Sequence, residues 1–102
     1  MLEKDILSIH DALVRGEVTS EELVREAIKR SHAVEESCNA FVTILDDQKG
    51  GEVTDNLLSG IPYGLKDNYS TTGILSTGSS NTLKDYVPFF SATSVLNLER
   101  AG

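Results

Sequence analysis

The sequence of 102 residues is 39% hydrophobic and 25% charged, a balance typical of a soluble globular chain of one domain at most. Its net charge of −7 argues against direct binding to a nucleic-acid backbone, because such surfaces carry an excess of lysine and arginine. It has no basic start followed by an apolar run, as a signal peptide would, and no apolar segment long enough to span a bilayer. A single cysteine excludes an intrachain disulfide, and we expect a cytoplasmic protein.

The first predicted helix follows from apolar residues spaced four, three and four positions apart. These residues are Leu2, Ile6, Ile9 and Leu13. Side chains at this spacing lie on one face of a helix, which we expect to end near Gly16.

A second helix is predicted to begin at Thr19, three residues before Glu22. This is the spacing of a capping box, in which the hydroxyl accepts a bond from a first-turn amide and the glutamate returns one. The inner face is predicted to comprise Leu23, Ala27, Ser31, Val34 and Cys38, supported by Val24 and Ile28. Cys38 is therefore interpreted as a small core residue, with a reactive thiol as the alternative.

The next segments predict a strand, a loop and a last helix. Residues 40–45, AFVTIL, are β-branched, aromatic and flanked by polar residues, which favours a buried strand. Residues 46–59 are polar with two adjacent glycines, which predicts a loop with one helical turn around Leu57 and Leu58. Near the end, Val95, Leu98 and Ala101 keep helical spacing.

Residues 60–78, GIPYGLKDNYSTTGILSTG, place one lysine, Lys66, among glycines and hydroxylated residues. The alternating pattern over residues 61–65 predicts an extended approach that carries Lys66 to a strand end, where α/β proteins place chemistry. The alternative interpretation is a solvated charge pair between Lys66 and Asp67.

Other polar and aromatic residues are interpreted as structural. Turn and cap roles are expected for the five serines near the lysine, Ser76, Ser79, Ser80, Ser91 and Ser94. His10 and His32 lack partners at metal-ligand spacing, so we expect surface or helix-packing roles and no metal. Core or interface positions are expected for the aromatic residues Tyr63, Tyr69, Tyr86, Phe89 and Phe90.

The lysine segment also resembles a known family. Gly60-Ile61-Pro62 followed by Lys66-Asp67-Asn68 is similar to the lysine-bearing motif of the amidase signature family. The similarity continues in order through Thr72-Gly73, Thr77-Gly78-Ser79 and the run from Ala92 to Gly102. It covers nearly the whole chain and is strongest to the branch formed by the A subunits of the aspartyl/glutamyl-tRNA amidotransferases.

For the fold, the resemblance implies an α/β class. Residues 1–102 are then expected to form the N-terminal part of a single amidase signature domain, with helices and the first strands of a mixed sheet flanked by helices, incomplete in this chain. The loop at 46–59 is shorter than the helical insert common in such relatives.

For catalysis, the resemblance implies a triad of a lysine, a serine in a cis peptide and a nucleophilic serine, and Lys66 matches the lysine. Its implied role is that of a neutral base that relays a proton through the bridging serine. Lowering a lysine pKa from about 10.4 to about 7 to 8 requires roughly 4 kcal/mol, so we expect Lys66 to be buried when active. The family's two serines lie downstream of Gly102, and the isolated chain is therefore expected to be inactive.

For function, the resemblance implies hydrolysis of glutamine to supply ammonia for converting Glu-tRNA(Gln) to Gln-tRNA(Gln). The B subunit of such a complex is then expected to use ATP and magnesium and to make most tRNA contacts, with a small C subunit fastening the pair. This chain is expected to bind no cofactor. The alternatives are a fragment of another carboxamide hydrolase of the family and a non-catalytic interaction module.

Overall fold

A computed structural model describes all of residues 1–102 and contains three α-helices and one short 3₁₀ helix. The α-helices are α1 (Ile6–Val14), α2 (Ser20–Cys38) and α3 (Thr93–Ala101), and the 3₁₀ helix is Asn81–Leu83. The chain divides into two compact units, a first unit of Met1–Tyr63 with Ala101–Gly102 and a second unit of Gly64–Arg100. No helix combines the length and the apolar character needed to cross a membrane.

Helix α1 begins at a side-chain cap and packs through its later turns. The Asp5 carboxylate accepts a hydrogen bond from the Ser8 amide at 2.8 Å, which satisfies one free donor of the first turn. Ile9 and Leu13 are buried, as their spacing predicts. Ile6 was predicted on the same face, but 46% of it is exposed, because the core lies beneath the later turns of the helix.

Helix α2 begins where predicted. The Thr19 hydroxyl accepts a hydrogen bond from the Glu22 amide at 3.1 Å, whereas the return bond of the predicted capping box is absent. Leu23 is fully buried, at 0% exposure, and packs with Ile9 and Leu13 as the centre of the core. Partly buried apolar residues surround this centre: Met1, Leu2, Val18, Val53 and Ile61.

The inner face predicted for α2 is wrong at its C-terminal end. Val34 and Cys38 are both exposed, and Leu23 is the only fully buried apolar residue of the helix. The spacing is that of an amphipathic helix, but the core cluster reaches only the first turns. Cys38 is therefore a surface thiol at the end of α2 and not a core residue.

A buried serine fastens the predicted loop to the start of α2. The Ser20 hydroxyl donates to the Gly60 carbonyl at 2.7 Å and accepts from the Gly51 amide at 2.9 Å. Gly60 has a φ of +74°, and a Cβ there would lie 3.1 Å from Val53 and 3.3 Å from the Ser20 Cβ. Only glycine can adopt this positive φ and also avoid the close contacts of a Cβ without strain. The helical turn predicted near residues 57 and 58 is a hydrogen-bonded turn instead.

No β-strand forms in the chain, so the strand predicted over residues 40–45 is wrong for this structure. A strand requires ladder hydrogen bonds to a neighbouring strand. The chain contains one isolated antiparallel bridge, between Thr71 and Ile74, and Phe41 and Val42 are exposed. The helical part of the predicted α/β class is confirmed, whereas its sheet is not.

Helix α3 forms where the spacing of Val95, Leu98 and Ala101 predicts a last helix. Val95 is 1% exposed, and Leu98 and Ala101 are half-buried. A core position is wrong for most of the aromatic residues, because Tyr63, Tyr69, Phe89 and Phe90 are exposed and only Tyr86 is half-buried. The rings of Phe89 and Phe90 pack edge to face, with centroids 5.6 Å apart. An interface role for these residues stays a prediction.

The cap of α2 gives a stability prediction. Thr19→Ala removes the acceptor of the Glu22 amide and is expected to lower the free energy of unfolding by about 1 kcal/mol. Urea unfolding followed by helical circular dichroism measures the change. The matched control is Thr43→Ala, which removes an exposed hydroxyl without a hydrogen bond and should change stability by less than about 0.5 kcal/mol. Equal effects of the two substitutions would contradict the capping role.

Candidate functional site

Lys66 lies in an irregular segment of the second unit, directly before a turn. Its carbonyl accepts a hydrogen bond from the Tyr69 amide at 3.1 Å, so the backbone at this position is held. Its side chain is exposed and forms no hydrogen bond or ion pair. The strand expected to lead to Lys66 is not formed, and the burial expected for an active base is not provided in this structure.

The neighbouring carboxylate of Asp67 does not pair with Lys66. Its Oδ2 atom accepts from the Thr77 amide at 3.1 Å, from the Thr77 hydroxyl, and from the Ser79 amide at 3.4 Å. The Asp67 backbone carbonyl accepts from the Gly78 amide at 2.9 Å. Asp67 is thus bound through main chain and side chain to the residues 77–79, which we call the 77–79 turn. The predicted solvated charge pair between Lys66 and Asp67 is wrong for this structure.

The 77–79 turn has an unusual backbone that aims its donors at Asp67. Gly78 and Ser79 both adopt positive φ, at +59° and +58°. Glycine tolerates this region, but serine there costs of order 1 kcal/mol. The Ser79 amide also donates to the Thr77 hydroxyl at 3.1 Å. The hydrogen bonds to Asp67 and Thr77 therefore offset a strained conformation that the sequence alone would not favour.

The electrostatics of Asp67 follow from the same contacts. Desolvation at this half-buried position raises the pKa of the carboxyl, but the hydrogen bonds from Thr77, Ser79 and Gly78 together lower it further, so its pKa lies below the ordinary aspartate value. Asp67 is therefore ionised at neutral pH. Its contribution to folding is present above the ordinary pKa of 3.8 and is lost as the pH falls through the lower folded-state pKa.

Three of the five serines near the lysine have the structural roles predicted for them, whereas the hydroxyls of Ser79 and Ser94 form no hydrogen bond. The buried Ser76 hydroxyl accepts from the Thr71 amide at 3.3 Å and donates to the Ile74 carbonyl at 3.0 Å. Ser80 caps the 3₁₀ helix by accepting from the Thr82 amide at 3.2 Å. The Ser91 hydroxyl accepts from the Thr72 amide at 2.9 Å. Each of these hydroxyls shapes a turn or a cap, and none contacts Lys66.

The two histidines also have the roles expected from the sequence. His32 is exposed on α2, and its Nε2 atom contacts the Asp46 carboxylate. His10 is buried on α1, and its Nδ1 atom has no hydrogen-bond partner. The chain contains no group of three or more histidine, cysteine, aspartate or glutamate side chains arranged to hold a metal ion.

The sequence names Lys66 as the candidate base, which stays a prediction, but it does not indicate the hydrogen bonds of Asp67. The partners of Asp67 lie ten and twelve residues further along the chain, beyond the range of helix, turn and cap spacing rules. The available signal was the turn-forming tripeptide Thr77-Gly78-Ser79, which predicts a turn but not the carboxylate that it binds.

Comparison with known proteins agrees with the sequence motifs. A family model described as Amidase matches residues 22–102. The A subunit of the glutamyl-tRNA(Gln) amidotransferase of Streptococcus thermophilus is 44% identical over 104 residues, which cover 92% of this chain and 21% of the relative. The protein of the same name from Streptococcus pneumoniae is 40% identical over 108 residues, which cover 97% of this chain and 22% of the relative. The chain thus spans about a fifth of the length of these relatives. No solved structure is significantly similar to it.

The hydrogen bonds of Asp67 give a prediction for acid titration. The amide proton shifts of Thr77 and Ser79 are expected to change as Asp67 is protonated, with a midpoint below the ordinary aspartate range. Two-dimensional NMR across the acid range measures this midpoint. Asp67→Asn should abolish the transition, whereas Asp85→Asn, which removes an exposed carboxylate without hydrogen bonds, should preserve it. A midpoint at or above 3.8 would contradict the assignment.

Proposed function

Because the chain belongs to the amidase family, we propose that Lys66 is the lysine base of an amide-hydrolysing site. The proposed reaction is the hydrolysis of glutamine, which releases ammonia for the conversion of Glu-tRNA(Gln) to Gln-tRNA(Gln). The chain then corresponds to the N-terminal part of the glutamine-hydrolysing subunit. Identities of 40 to 44% with relatives named as the A subunit of glutamyl-tRNA(Gln) amidotransferase support this choice of substrate over other carboxamides.

The observation that carries the proposal is that Lys66 combines a held backbone with an uncommitted amine. Hydrogen bonds occupy the carbonyls of both Lys66 and Asp67, while the amine has no hydrogen bond or ion pair. A general base must have its lone pair available and its position fixed relative to the proton that it accepts. An amine held in an ion pair would lack the first property.

The proposed chemistry begins with Lys66 in its neutral form. The amine accepts the proton of a bridging serine hydroxyl, which in turn accepts the proton of a nucleophilic serine. That nucleophile attacks the amide carbonyl, and the proton passes back to the departing ammonia. Water then hydrolyses the acyl ester. The two serines of this relay are not among the described residues and belong to the proposal.

The relay requires that Lys66 be covered during the reaction. Contact with water favours the charged form of an amine, and removing that water favours the neutral form. Because Lys66 is exposed among residues 1–102, we propose that further segments of the amidase domain cover it. Residues 1–102 alone are therefore expected to lack the activity of the full-length protein.

The proposed assembly assigns the remaining steps to other subunits. The B subunit is proposed to use ATP and magnesium and to contact the misacylated tRNA, with the C subunit fastening the complex, and this chain is proposed to bind no cofactor. The net charge of −7 supports a division in which this segment does not contact nucleic acid. A cytoplasmic location belongs to the same proposal, as it is where tRNA is charged.

Substitution of the proposed base tests the function directly. In the full-length protein, Lys66→Ala is expected to lower the rate of ammonia release from glutamine by about 10²- to 10⁴-fold, because the proton acceptor is lost. Lys66→Arg should be equally inactive, since arginine keeps its charge at neutral pH. The matched control is Lys84→Ala, an exposed lysine of the same unit, which should keep wild-type turnover. Wild-type turnover by folded Lys66→Ala would contradict the assignment of Lys66 as the base.

The requirement for further segments gives a second test. The 102-residue chain alone is expected to release no ammonia from glutamine above the buffer rate, because it lacks the proposed serines and the cover over Lys66. A coupled glutamate dehydrogenase assay measures the release, with the full-length protein as the positive control. Release that persists after repeated purification and disappears in Lys66→Ala would show that the nucleophile lies within residues 1–102.

A further inference from the structure

Residues 66 and 67 carry opposite charges side by side, yet they do not form an ion pair. The single oxygen Oδ2 of Asp67 receives three donors from the 77–79 turn. The Lys66 amine is left without any partner. A lysine beside a free aspartate would be expected to pair with it part of the time, because the two charges attract at this short range. The 77–79 turn removes that competing contact.

We propose that Asp67 is a positioning residue for Lys66, and this proposal rests on the function proposed above. Asp67 acts in two ways through the 77–79 turn. It fixes the backbone from which the Lys66 side chain extends, and it holds its own carboxylate away from the amine that must accept a proton. Asp67 itself contacts no reacting atom.

Three hydrogen-bonded groups hold the chain around Lys66: two backbone carbonyls and one side-chain carboxylate. The Lys66 carbonyl accepts from the Tyr69 amide at 3.1 Å, the Asp67 carbonyl accepts from the Gly78 amide at 2.9 Å, and the Asp67 carboxylate binds the turn. Removing the carboxylate bonds leaves only the two main-chain contacts. Catalysis is sensitive to such loosening, because a displacement of about 1 Å can lower a rate by about 100-fold.

Thr77 is the central donor of this arrangement. Its amide and its hydroxyl both donate to Asp67, while the hydroxyl oxygen accepts from the Ser79 amide at 3.1 Å. The side chain is buried, so water cannot readily replace these bonds. The hydrogen bonds at this position require the hydroxyl and do not involve the methyl group. Serine should therefore replace Thr77, whereas valine, which has the same shape without the hydroxyl, should not.

The first arm of the test measures position on the 102-residue chain and does not depend on activity. ¹⁵N relaxation gives the order parameter of the Lys66 amide, which we expect near about 0.85, the value of a rigid backbone. In Thr77→Val and in Asp67→Ala it should fall toward about 0.6, while in Thr77→Ser and in the control Asp85→Ala it should stay high. Unchanged rigidity in folded Thr77→Val and Asp67→Ala would overturn the proposal.

The second arm measures catalysis of glutamine hydrolysis by the full-length protein. Thr77→Val and Asp67→Ala are expected to lower kcat about 10- to 100-fold, with KM within about twofold of wild type, because substrate binding is not the step affected. Thr77→Ser should restore most of kcat. Circular dichroism confirms that each variant is folded, and if Asp67→Ala does not fold, the comparison of valine with serine at position 77 decides the question.

The two proposals fail in different ways. If Lys66→Ala keeps wild-type turnover, the proposed function fails, while the first arm still reports whether Asp67 orders the Lys66 backbone. If Lys66→Ala is inactive but Thr77→Val and Asp67→Ala keep wild-type kcat, the function stands and the positioning role is overturned. A rise in KM without a fall in kcat also overturns it, because that pattern indicates a role in substrate binding.

Discussion

The hydrogen bonds between Asp67 and the 77–79 turn join parts of the chain ten and twelve residues apart. They influence the conformation of both segments that they join. On one side they hold Gly78 and Ser79 at positive φ, and on the other they engage the carboxylate next to Lys66. Because the donors satisfy a charged acceptor, each is stronger than a bond between neutral groups. The local structure of the second unit around the candidate base therefore depends on one ionised side chain.

The helices could be predicted from the sequence because their determinants are local. Thr19 caps α2 through an amide three residues away, and Ile9, Leu13 and Leu23 form the core that their spacing indicates. The predicted strand over residues 40–45 failed for the complementary reason. Alternation and β-branching specify which way side chains would point, but the hydrogen bonds of a strand come from a neighbour that the segment itself does not specify. The predicted burial of the C-terminal end of α2 was wrong for the same reason, since burial depends on which other residues pack against that end.

The candidate site could likewise be predicted only in part. Lys66 was named as the candidate base from its resemblance to a family motif. The family model matches residues 22–102, and the role of Lys66 as a base stays a prediction. Its surroundings were not predictable, because a charge pair between adjacent residues and a bond to a turn ten residues away are both compatible with the sequence. In the structure, Asp67 binds the turn and does not pair with Lys66. Three donors converge on Oδ2 of Asp67, and no single contact with an exposed lysine replaces them, since exposed ion pairs contribute about 1 kcal/mol or less.

A lysine base requires both a fixed position and removal from water, and the two requirements have separate physical sources here. Hydrogen bonds within residues 66–79 supply the position, and they form while the amine is exposed. Removal from water requires groups packed over the amine, which residues 1–102 do not provide. Under the proposed function, covering Lys66 is then the step that converts a positioned but solvated amine into a base. Because the backbone is already held before that step, the covering groups need to supply only desolvation, and the geometry of the base does not have to be built at the same time.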